Sequence, residues 1–139
     1  MNQGKSHRQW SIKPWVDRHL NREKGQIGED IAAKYLKDQG LTLVTTNFNC
    51  RFGELDLIMT ESDKLVFVEV KMRSKDDFGG AIHAISPQKQ RKLIKTAQWY
   101  MQQHSLSDKF ARFDVIAIDH NNQSKQPDIK WIQNAFYSQ

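Results

Sequence analysis

Four side chains in this 139-residue sequence have types and spacings that suit chemistry on phosphate esters. Glu69 and Lys71 follow the apolar run Leu65–Val68, two residues apart, so on an extended strand they share a face. Asp56 lies in the preceding run "GELDLIMT", on the expected face of Glu54 and Ile58, with Leu55, Leu57 and Met59 opposite. Glu29 lies on one helical line with Ala32, Ala33 and Leu36, by i+3, i+4 and i+7 spacing, and so borders a buried face. A helix-dipole role would explain an acid in a first turn. An acid on the buried side, however, needs a cation, a metal or a donor. An aspartate with a glutamate suits a hard divalent cation, Mg²⁺ or Mn²⁺, that keeps waters for a substrate phosphate. A nearby lysine orients water or offsets charge developing on phosphorus. These parts suit phosphodiester hydrolysis better than acyl or glycosyl transfer. The Glu-x-Lys triplet alone is weak, because a carboxylate two residues before a lysine arises about once by chance in a chain this long. An exposed Glu69–Lys71 ion pair would be worth under about 1 kcal/mol.

The elements that must position these groups are legible in the pattern. "QIGEDIAAKYLKDQGL" places Ile27, Ile31, Tyr35 and Leu36 at helical spacing, with Gly40 as the C-terminal cap. "LTLVTTNF" is a β-rich run. "GELDLIMT", the turn "ESDK" and "LVFVEVKMR" predict an antiparallel hairpin. In the last of these both faces begin apolar, as in a central strand covered on both sides. Ser86 and Pro87 open a second helix with the stripe Leu93, Ile94, Ala97, Tyr100 and Met101. "ARFDVIAID" and "IKWIQNAF" are two further strands. This order predicts an α/β (α+β) domain, a mixed sheet of about five strands flanked by helices, over residues 25–139.

Residues 1–24 form a basic arm carrying Trp10 and Trp15. Residues 1–25 hold six cations against Asp17 and Glu23, so they supply +4 of the chain's +5. This balance favours a polyanionic partner. At the start of the second helix, Lys89, Arg91, Lys92 and Lys95 oppose the dipole and crowd one another, and a phosphate backbone would relieve both penalties. Gln90 adds polar contacts there, and Arg73 and Lys75 extend the surface. The alternative is an ordinary solvated face. The five histidines are scattered, without a pair at zinc-ligand spacing. Cys50, the single cysteine, has no nucleophile signature and reads as structural. The "FGG" at Phe78 reads as a turn beside the site. Asp114 reads as bordering a strand, with an accessory site role as the other reading. No apolar run reaches membrane-spanning length, and the N-terminus lacks the apolar core of a secretory signal. The expected location is the cytoplasm.

The blocks "GQIGEDIAAKYLKDQG", "FGELDLIM", "LVFVEVKMRS…FGGA", "KQRKL" and "RFDVIAI", in this order from Gln26 to Phe136, resemble the bacterial YraN-like family. That family in turn resembles the PD-(D/E)XK restriction-endonuclease-like superfamily, its Holliday-junction-resolvase branch in particular. The resemblance implies that Asp56 and Glu69 are metal ligands, Lys71 the catalytic lysine and Glu29 the helix-borne acid. Leu55 stands where the motif has proline, a departure the superfamily tolerates. The implied function is Mg²⁺-dependent cleavage of DNA, branched or single-stranded. A non-catalytic nucleic-acid-binding protein of the same fold is the alternative, and a protein-interaction adaptor a third. A homodimer is expected by analogy with the resolvases.

Overall fold

The computed structural model describes residues 25–73, 85–119 and 126–136. Its first helix, α1, covers residues 25–38. Leu41 N–H bonds back to the Leu36 carbonyl and Gly40 N–H to the Lys37 carbonyl, both at 3.0 Å. This closure requires Gly40 at φ +103°, where a side chain would be strained.

Five strands follow: β1 Thr42–Cys50, β2 Gly53–Glu61, β3 Lys64–Arg73, β4 Ala111–Asp119 and β5 Asp128–Phe136. They form one sheet in the order β1-β2-β3-β4-β5. All neighbours are antiparallel except β3 and β4, which run parallel. A parallel pair needs a crossover, and the second helix, α2 Pro87–Gln103, lies within it. The Ser86 hydroxyl accepts the Lys89 N–H at 3.1 Å and Pro87 occupies the first turn, as the sequence predicts. Ser62 and Asp63 make the two-residue β2–β3 turn, with Ser62 at φ +57°.

β3 is central and buries both faces. On one side Val66 and Val68 pack with Leu57, Met59, Ile116 and Ile118 against Ala32, Ala33 and Leu36 of α1. On the other, Phe67 packs with Ile58, Phe113 and Phe136 against Leu93, Ala97 and Tyr100 of α2. Each fully buried aliphatic or aromatic side chain contributes about 1.5–3 kcal/mol by leaving water, which makes this strand the most firmly placed element.

Three local expectations change. Ile27 is 51% exposed: Gly28, Ala32 and Leu36 turn toward the sheet, which leaves Ile27 beside that line. Asp114 lies inside β4, fully buried, at the irregularity between Phe113 and Val115. Its carboxylate accepts from Arg112 Nε, Trp131 Nε1 and the Asn134 backbone N–H at 2.9–3.2 Å. Satisfied on every side, it is a structural anchor between β4 and β5 rather than a strand border. Strict alternation in β2 also fails, with consequences for the site. Residues 1–24, the Lys75 and Phe78 positions and four of the histidines lie outside the described residues.

Candidate active site at the end of the central strand

Pairing between β2 and β3 ends at Leu57 opposite Val68. Beyond that point the strands diverge, and the Asp56 carboxylate replaces the missing ladder partner, accepting the Val70 N–H through Oδ2 at 2.9 Å. The face alternation breaks here. Leu55 and Ile58 both join the α2-side core, while Leu57 and Met59 face α1. The expected grouping of Leu55 with Leu57 and Met59 is thereby corrected, and the break aims Asp56 into the gap beside Glu69.

Glu69 is buried, 6% exposed, on the α2 side of β3. Its Oε2 meets Lys89 Nζ of α2 at 2.5 Å. Glu29 approaches from α1. Gly28 lets the helix come close to β3, since a Cβ there would stand 2.8 Å from Met72 Sδ. Glu29 Oε1 is buried without a hydrogen-bond partner. Three acids thus arrive from α1, β2 and β3, and their charges act on one another.

Burial pushes the Asp56 carboxyl up to about 8, helped by the facing Glu69 carboxylate and opposed by the Val70 N–H. Glu29 is also raised, first by burial and then by the charges of Asp30, Glu69 and Glu54, with Asn47 pulling the other way. Burial acts against the Lys89 ammonium. The bond to Glu69 and the charges of Asp56 and Glu54 outweigh it, so Lys89 holds its proton more firmly than usual. Lys71 is half-buried, two residues past Glu69, and makes no ion pair among the described residues.

Of the predicted site residues, then, Asp56, Glu69 and Glu29 come together, with Lys71 alongside. Lys89, expected on a phosphate-binding surface, reaches into the acidic cluster. Arg91, Lys92 and Lys95 are exposed on α2. Gln90 is half-buried and donates to the Ile85 carbonyl at 3.1 Å, a loop-closing bond. Arg73 ends β3, its side chain outside the described set. Two contributors were missed in the sequence. Glu54 adds charge to the cluster, and Asn47, at φ +52° in β1, faces Glu29. Only the basic residue at the third position of α2 hinted at the Lys89 contact.

All three acids offer oxygen donors, the set a hard divalent cation prefers. The orphaned Glu29 oxygen and the two facing carboxylates fit such an ion. Among the described residues no three acidic, histidine or cysteine side chains already converge at ligand distances. An ion would therefore take two carboxylates directly and complete its shell with water, as Mg²⁺ commonly does. Among the described residues no helix is long and apolar enough to cross a membrane.

A comparison with protein families matches residues 28–118 to the uncharacterised protein family UPF0102. A UPF0102 protein of Legionella pneumophila is 48% identical over 118 residues, covering 84% of this chain and 97% of the relative. Another, from Psychromonas ingrahamii, is 50% identical over 117 residues, covering 84% and 91%. A third, from Nitrosomonas europaea, is 50% identical over 113 residues, covering 81% and 92%. With a five-stranded mixed sheet consistent with the restriction-endonuclease-like fold, this chain belongs to the UPF0102 family, the YraN-like group that its sequence blocks resemble.

Proposed function

We propose that the protein is a metal-dependent, endonuclease-like enzyme that hydrolyses phosphodiester bonds in DNA, branched DNA included. One observation carries this reading. Three acids from three elements crowd one end of the central strand, at a cost in charge repulsion and desolvation that raises Asp56 to about 8. Neither apolar core includes them. Strongly perturbed acids in one cluster are characteristic of working sites.

Asp56 and Glu69 would hold Mg²⁺ or Mn²⁺, with Glu29 completing the acidic set. When bound, the ion would polarise the phosphate and acidify a coordinated water. Lys71, on the same strand face as Glu69, orients water or offsets charge on the phosphorane-like transition state. Lys89 balances Glu69, and the exposed cations of α2 hold the flanking phosphates.

The Lys89–Glu69 pair also favours a second reading. A carboxylate already neutralised from within suits a protein that binds nucleic acid and no longer cuts it. Incubation of branched and single-stranded DNA with Mg²⁺ or Mn²⁺ separates the two. We expect cleavage that disappears in Glu69→Ala and in Lys71→Ala. Cleavage that survives either change would overturn the site assignment. Salt-sensitive binding without any cleavage would establish the second reading instead.

A further inference from the structure

The β1–β2 hairpin tip lies against α2 in a way the acidic site does not explain. Arg51 and Phe52 form its two-residue turn, between Cys50 and Gly53. Gly53 has φ +152°, and a Cβ there would stand 3.0 Å from Thr96 Oγ1. Thr96 is fully buried, and its hydroxyl donates to the Lys92 carbonyl at 2.7 Å, so it has little room to yield. Glycine lets the tip rest directly on the helix.

The result is a ring with two cations on it. Arg51 Cζ lies 4.8 Å from the Phe52 ring centroid, and Lys95 Nζ lies 5.4 Å from the same centroid. The negative face of an aromatic ring attracts each of them. They repel one another, and neither has a carboxylate partner among the described residues. Glu54, on β2, acts on Glu29 and Lys89 of the acidic cluster. Two cations held together without an anion are arranged for an anion from outside.

Resting on the nuclease reading of the acidic site, we infer that Arg51 and Lys95, set in place by Phe52, clamp the phosphodiester backbone beside the bond at Asp56 and Glu69. The spacing fits. Phe52 lies four positions before Asp56, about 13 Å for extended chain. Lys95 lies six positions after Lys89 on α2, about 9 Å along the helix. A nucleic-acid strand advances about 3.4 Å per phosphate along the duplex axis, so the clamp meets phosphates about three or four steps from the acids. Phe52 is a positioning residue, and Arg51 and Lys95 are the contacts.

Fluorescence anisotropy with labelled single-stranded, duplex and four-way-junction DNA tests this, in EDTA so that nothing is cut, across a salt series. Arg51→Ala and Lys95→Ala should each weaken binding about tenfold and reduce the salt slope by about one, the signature of a lost phosphate contact. Phe52→Leu should behave likewise and Phe52→Tyr should restore binding, a rescue that ring-independent packing would not require. Wild-type affinity and slope in Arg51→Ala and Lys95→Ala, with the parent binding DNA, would overturn the clamp and leave the nuclease reading standing. No DNA binding by the parent at low salt would overturn both. Equal competition by polyglutamate would show a surface selective for charge alone and would also overturn the clamp.

Discussion

Replacing Asp56 by asparagine removes one charge from the cluster while keeping an acceptor for the Val70 N–H. The folded protein holds the Asp56 proton up to about pH 8, whereas an unfolded aspartate releases it near 3.9. Because the folded value is the raised one, stability from this group is fully present below about pH 4. It falls as pH rises, and is lost by about pH 8. Each unit in that window costs about 1.4 kcal/mol, so at pH 7 the ceiling is about 4 kcal/mol. Asp56 keeps some contact with solvent, and water screens part of this. Asp56→Asn should therefore be more stable than the parent at pH 8 in EDTA. At about 2–8 °C per kcal/mol for small domains, Tm should rise by several degrees. At pH 4 the two proteins should melt together. Mn²⁺ should narrow the gap at pH 8, because it binds the ionised site. At a hundred times Kd it adds about 2.7 kcal/mol to the parent and little to the variant. Differential scanning fluorimetry across pH, with and without Mn²⁺, reads all of this. A variant that gains no stability at pH 8, or gains as much at pH 4, would show that the Asp56 carboxyl does not carry a raised pKa in the folded protein.

Two further outcomes follow from the geometry. Asp114→Ala strips the partners from Arg112 Nε, Trp131 Nε1 and the Asn134 N–H and leaves a half-paired arginine. A loss of about 3–5 kcal/mol in chemical denaturation is expected, with metal binding unchanged in whatever fraction remains folded. Gly53→Ala forces a Cβ toward Thr96 and a side chain into φ +152°. It should lower stability by about 1–3 kcal/mol and weaken DNA binding in the anisotropy assay as much as Arg51→Ala does.

Local order in this protein is written in short stretches of sequence. Ser86–Pro87 opens α2, Gly40 closes α1, and Leu65–Val68 announces a strand covered on both faces, because caps and apolar runs act within a few residues of themselves. The acids were legible as well, Glu29 by its helical line and Glu69 with Lys71 by their position after that run. How they meet was not. Asp56 turns into the site only because β2 parts from β3 after Leu57, an event that depends on both strands and on Leu55 changing sides. Lys89 finds Glu69 because the crossover brings the first turn of α2 back over the end of β3. Asp114 needs Trp131 and Asn134 from β5 to become a buried anchor. The two cations on Phe52 likewise come from a turn and a helix more than forty residues apart in the chain. Spacing along the chain determines which face a residue takes within its own element. What that face meets is decided by packing between elements, where one broken ladder or one glycine contact redirects a carboxylate, and no window of sequence contains both partners.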